Sequence, residues 1–250
     1  MATFAPELIT QIGPLPITNT FLHTIVTDVV LISIALLATK NLKMIPSGFQ
    51  NMMESVIEAL YSLVESIASS KKALEKIFPY AMTFFLFIFI ANITSLLPGM
   101  GTFGFFKEHN EFVPLLRGAT SDINVTLALA IISVIATHML SIQVTGIRDY
   151  LSRYFSLNPI NLYVGLLELI SEFTKVISLS FRLFGNIYAG EIALSTISKL
   201  LAFVAPLPFL LLESLVSIVQ ALVFSVLTLV FMSVLTTPHH HSEAGEVIHE

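Results

Sequence analysis

Residues 178–191 read SLSFRLFGNIYAGE, in the middle of a helically patterned stretch that runs from 159 to 200. Arg182 stands there among leucines and phenylalanines. Placing an arginine near the centre of a bilayer costs roughly 2.5–3.5 kcal/mol on insertion scales. Either this stretch lies in water or something offsets the charge, so the solvent of the chain has to be settled first.

Composition settles it. Of the 250 residues 55% are hydrophobic and 12% charged, and the mean hydropathy is +0.85. Soluble domains carry about 25% charged residues, so there is too little charge here to cover a water-facing surface. The apolar segments are long runs and not alternating stretches of about ten residues, which predicts an all-α integral membrane protein and not a barrel. The absence of cysteine excludes disulfides, thiolate metal sites and cysteine nucleophiles. The net charge of −5 gathers in tails and loops, and no basic block points to nucleic acid. The stretch before Thr20 holds no Lys or Arg, so the first apolar segment lacks the basic flank of a cleaved signal and is expected to stay as an anchor.

Five membrane-spanning helices are expected within a single membrane domain covering 1–250, at about 20–39, 77–98, 122–144, 159–200 and 207–236. Lys40 and Lys43 close the first span, and with no basic residue before it the N-terminus is placed outside and the C-terminus in the cytoplasm. Between the first two spans, residues 48–69 form an amphipathic helix. Phe49, Met52, Met53, Val56, Leu60, Leu63, Val64 and Ile67 recur at three- and four-residue steps, with Glu54, Glu58 and Glu65 off that stripe. Residues 99–121 read as a polar outer loop, and Arg148 and Arg153 mark a return to the inside. The last two spans are too long to stand upright, about 63 and 45 Å against a hydrocarbon core of about 30 Å. They are expected to form a long, strongly tilted hairpin cornered by Pro206 and Pro208. The tail from about 238 to 250, with His239, His240 and His241, is expected to be disordered, and specific metal binding is not expected there.

A polar seam runs along the fourth span. Glu168, Lys175 and Arg182 are spaced by sevens and share a stripe, with Ser171, Ser178 and Asn186 beside it. Glu191 lies about 180° around from Arg182. On the last span Glu213, Ser217 and Gln220 share a face that Thr228 continues. One reading is a structural network of ions that neutralise one another; the other is an ion pathway, which intramembrane charges commonly mark. Gly185 and Ala189 make a small-xxx-small pair expected to face a partner helix or the last span. Asp122 and Asn124 are expected to cap the third span, and His138 to make an interhelical hydrogen bond. Asp28 is either an interfacial polar residue or a contact to a neighbouring subunit.

SFRLFGNIYAGE, with Glu168 and Lys175 before it and LLESLVSIVQALVFSVLTLVF after it, resembles the bacterial subunit a of F-type ATP synthases. TSDINVT at 120–126 and NITSLLPG at 92–99 carry the same likeness, which covers nearly the whole chain. The resemblance implies a proton-translocating stator of the membrane Fo sector, CF(0), working against a rotating ring of c subunits and held by peripheral stalk b subunits. It implies that Arg182 is the essential charge separating two half-channels. It assigns Asn186, Glu191, Glu213 and Gln220 to the aqueous proton paths, with Glu191 and Glu213 as the outer pair and Gln220 close to the arginine. Glu168, Lys175, Ser178 and Ser217 are supporting members of the seam. Some relatives carry histidine at one position of the outer pair, and here both are glutamate; two nearby carboxylates would favour a relay. The implied setting is the bacterial plasma (inner) membrane, with ATP synthesis and hydrogen ion transport as the shared task. No Gly-rich phosphate loop is present, so the chain is expected to bind no nucleotide, to need no cofactor or metal and to be no enzyme by itself. The rival readings are a self-contained transporter using Arg182 as an anion site, for which the inverted repeats are missing, and a structural scaffold.

Overall fold

The computed structural model describes residues 6–13, 15–40, 42–46, 48–68, 71–97, 103–107, 111–154, 159–200 and 204–236. The expected tail at 238–250 lies outside the described residues. A hairpin of β1 (Leu8–Ile12) and β2 (Leu15–Thr18) leads into α1 (Asn19–Thr39), whose first turn is capped by Thr18 accepting from the Phe21 N–H at 3.3 Å. Then come α2 (Phe49–Ile67) and α3 (Lys71–Ser95). The hairpin of β3 (Gly104–Lys107) and β4 (Glu111–Pro114) and a 3₁₀ turn at Ala119–Ser121 precede α4 (Ile123–Thr145). α5 (Ile147–Tyr154), α6 (Pro159–Leu200) and α7 (Pro206–Thr236) complete the described helices. This is an all-α membrane protein. α1, α3 from Ala73, α4 and α7 are each long and apolar enough to cross a bilayer. The 42-residue α6 carries Glu168, Glu172, Lys175, Arg182, Glu191 and Lys199 and is set apart from them by that charge.

Several boundaries differ from expectation for identifiable reasons. α3 begins six residues before the expected 77, because Lys71 to Lys76 are good helix formers that let the helix run on towards α2. It stops at Ser95 because Pro98 follows: Leu96 and Leu97 close the end with bonds to the Ile93 and Thr94 carbonyls, and the chain leaves the helix before the proline. The segment expected to be an outer loop is not all loop, since its described residues hold the β3–β4 hairpin. α5 was not foreseen. Gly146, at φ +87°, ends α4 with its N–H on the Ile142 carbonyl and turns the chain. Asp149 in the first turn and Arg153 in the last turn then favour a new helix.

α7 is the centre of the bundle, lying against α3, α4 and α6. One core joins Phe84, Phe85 and Ile88 of α3 to Leu179, Leu183 and Ile187 of α6 and Phe224 of α7. A second core, nearer the α3 start, joins Val64, Leu74 and Ile77 to Leu140, Leu229 and Met232. Apolar burial gives little drive between helices in lipid, so packing and interhelical hydrogen bonds carry the association. Ser133 meets Thr228 at 2.8 Å, Thr126 meets Ser180 at 3.1 Å, and Ser141 donates to the Leu235 carbonyl at 2.8 Å. α2 is amphipathic as expected, but only part of its stripe is covered: Leu60 and Val64 are buried, whereas Phe49 and Met52 stay exposed.

Gly165 fixes how closely α5 can approach α6, because a Cβ there would overlap the Tyr154 carbonyl oxygen. Gly165→Ala is therefore expected to destabilise the protein by about 1–3 kcal/mol, read as a lower midpoint of thermal unfolding of the detergent-solubilised protein. An unchanged midpoint contradicts the packing described.

Candidate functional site

α6 buries Leu179, Leu183 and Ile187 and turns a narrow strip of Ser178, Arg182, Gly185, Asn186 and Ala189 outward. Small and polar residues on that strip leave the guanidinium unobstructed. Among the described residues Arg182 reaches the Ser178 hydroxyl alone, one turn back at 3.4 Å. Among the described residues no carboxylate lies within 4 Å of it. The neighbouring charges are all engaged. Glu168 meets Arg153 of α5 at 2.6 Å, Lys175 meets Glu172 at 2.6 Å and lies over the Phe231 ring, and Glu191 meets Arg117 at 3.6 Å. The expected heptad seam thus divides: its first two members pair with opposite charges of the chain, while Arg182 meets no carboxylate among the described residues.

The α6–α7 hairpin pairs two further candidates with α6. Gln220 and Arg182 line the same narrow crevice, with Leu183 and Phe224 as its walls. Glu213 is 7% exposed, and its carboxyl lies against Gly190 so closely that a Cβ there would overlap both oxygens. Beside it opens a cavity of about 270 Å³ bordered by Asn186, Gly190, Glu213 and Val216. Ser217, one turn after Glu213, is buried with its hydroxyl unpartnered among the described residues, and its carbonyl accepts from Asn92 at 3.5 Å. The Gly185–Ala189 pair does not mediate the approach of α7. Gly185 looks into open space, and the close contact is made at Gly190.

Glu213 and Glu191 are served by different neighbours: Glu213 by the Gly190 notch, Glu191 by Arg117, whose guanidinium stands 5.9 Å from the Tyr188 ring centroid. Sequence reasoning missed Arg117, a buried basic residue at the end of the apolar run VPLLR. It also missed a buried polar cluster between α1, α3 and the 3₁₀ turn. Thr20 donates to Asp122 at 2.8 Å, Thr120 to Asn92 at 2.6 Å, and His23 accepts from the Ala119 N–H at 3.1 Å. The available signal was Asn19, Thr20, His23 and Thr27 recurring at helical spacing in an apolar span. Asp122 does cap α4, accepting from the Asn124 N–H at 2.9 Å.

Near the end of α4 His138 is the interhelical hydrogen-bonder expected, joining Tyr150 at 3.0 Å and facing Glu172 at 3.6 Å. Burial pushes the Tyr150 and Tyr154 phenols above their ordinary range, so both keep their protons at neutral pH.

Residues 21–233 match the family model described as the ATP synthase A chain. The chain belongs to the ATP synthase A chain family. Curated relatives named ATP synthase subunit a agree over most of their length. One from Moorella thermoacetica is 30% identical over 93% of this chain and 97% of its own. One from Campylobacter jejuni is 31% identical over 85% and 88%. One from Hahella chejuensis, named subunit a 1, is 33% identical over 89% and 86%. Every candidate residue lies inside the A chain match.

Gly190 gives this A chain site its sharpest test. Gly190→Ala is expected to displace the Glu213 carboxyl and to cut proton-driven ATP synthesis at least tenfold in inverted membranes with the assembled complex still present; synthesis at the parental rate contradicts the notch.

Proposed function

We propose that the chain, as one membrane unit, is the proton-translocating stator of the Fo sector. It provides two offset half-channels against a rotating ring of c subunits and is held by peripheral stalk b subunits in the bacterial plasma membrane. The N-terminus lies outside and the C-terminus in the cytoplasm, and catalysis is left to other subunits. The observation that carries the reading is the outward-facing Arg182, unpaired with any described carboxylate while Glu168, Lys175 and Glu191 all have partners in the chain.

The chemistry follows from what a guanidinium can do. It does not give up its proton at any accessible pH, so it acts as a fixed charge and never as a relay. An ionised carboxylate passing on the ring is attracted to it. Two unit charges 4 Å apart interact by about 4 kcal/mol at an effective dielectric of 20. Binding of that strength holds the carboxylate without trapping it permanently. A protonated carboxyl loses the attraction and can rotate out into lipid.

The cavity beside Glu213 and Asn186 suits the outer path. Its volume of about 270 Å³ has room for several waters at about 30 Å³ each. Glu213 can take a proton from those waters and pass it to a ring carboxylate. On the other side of Arg182 the cluster of Glu168, Glu172, Lys175 and His138 supplies the polar groups for the inner path. The narrow crevice at Arg182 and Gln220 lies between the two, so that protons cross only on the ring.

Arg182→Ala is expected to abolish proton-driven ATP synthesis, to below one-hundredth of the parental rate, with the complex still assembled. Glu191→Gln and Glu213→Gln are expected to slow it less. Synthesis assays on inverted vesicles, with subunit content measured in parallel, check both statements. Normal synthesis in Arg182→Ala removes the proposal, and a heavier loss in either glutamine variant reverses the assigned roles.

A further inference from the structure

α1 differs from the other spans in how little of it the chain covers. Only 11% of its most apolar window is buried, against 44%, 39% and 39% in α3, α4 and α7. The residues it buries, Asn19, Thr20, His23 and Thr27, all lie in its first half. From Asp28 to Thr39 no side chain is buried. Lipid accounts for the apolar members of that bare half, such as Ile32 and Leu36, which are 56% and 64% exposed. Asp28 is a different matter.

Asp28 is the tenth residue of the 21-residue α1, about 15 Å along the helix and close to mid-depth. It is exposed and has no hydrogen bond or ion pair to another described residue. A carboxylate at that depth is costly unless it is paired, and such residues normally face a partner or a water-filled space. Glu213, the other acid deep inside an apolar span, is folded in against Gly190. The fold shelters one acid and leaves the other facing outward.

We propose that Asp28 is the docking point for a membrane-spanning helix of a neighbouring subunit, which brings an arginine or lysine to its level. Charge complementarity selects this occupant. A lipid phosphate carries the same sign as Asp28 and lies at the membrane surface. A second copy of this chain related by two-fold symmetry would bring another Asp28. A helix laid along the bare half of α1 also covers Ile32 and Leu36, which follow Asp28 at four-residue steps on one face. The inference does not depend on the half-channel reading, because it concerns assembly and leaves Arg182 untouched.

The test places p-benzoylphenylalanine at position 32 in the assembled, membrane-bound complex, with Asp28 intact and as Asp28→Leu or Asp28→Asn. With Asp28 intact, irradiation is expected to give an adduct with one other membrane subunit, and the cross-linked peptide should carry Arg or Lys opposite position 28. Asp28→Leu should lower the adduct yield at least tenfold and deplete that subunit from the purified complex, with Asp28→Asn intermediate. Adducts only with lipid, adducts with a second copy of this chain, a cross-linked helix without a cation at that level, or an unchanged yield in Asp28→Leu would each overturn the proposal. If Asp28→Leu does not accumulate, the adduct mapped with Asp28 intact decides.

Discussion

A guanidinium that keeps its proton under all conditions, set on an apolar helix with no carboxylate of the described residues within reach, constrains everything around it. The side chains beside Arg182 have to be small or polar, as Ser178, Gly185, Asn186 and Ala189 are. The opposite face of α6 has to be firmly anchored, which Leu179, Leu183 and Ile187 achieve against α3 and α7. The charges nearest Arg182 on α6 have to be neutralised locally, or they would compete for whatever Arg182 binds. Arg153, Glu172 and Arg117 do that work for Glu168, Lys175 and Glu191. Breaking any of these pairs would leave a buried or half-buried charge alone, which is costlier than never having had it.

The bundle is held in a way suited to lipid. Serine and threonine hydroxyls bridge α4 to α6 and α7, and Asn92 ties α3 to the 3₁₀ turn and to α7. These contacts are individually modest, but they fix the positions of α6 and α7. A site built from Asn186, Gly190 and Glu213 on two helices needs that fixed position, since the Glu213 carboxyl fits its notch with no space to spare.

Much of this was legible in the sequence because membrane helices advertise themselves by length and hydropathy. The boundaries of α1, α4, α6 and α7 fall within one residue of expectation, and the run RLFGNIYAGE points directly at Arg182, Asn186 and Glu191. The partners were not legible. Arg117 meets Glu191 from 74 residues away in the chain, and a lone arginine between helices carries no pattern. Gly190 looks like any glycine until Glu213 is seen lying on it. α5 is too short to raise a periodic signal, although Asp149 and Arg153 favour its ends. The seven-residue spacing of Glu168, Lys175 and Arg182 groups them on one stripe of α6, but the spacing alone could not tell which would be paired.

The central claim is that Arg182 keeps two aqueous paths from joining. It is tested most directly by the passive proton permeability of vesicles that hold the membrane sector alone, with ring rotation blocked by covalent modification of the ring carboxylates. The account predicts tight vesicles when Arg182 is present and a measurable proton leak in Arg182→Ala, with Arg182→Lys leaking less. Equal tightness of all three preparations would contradict it.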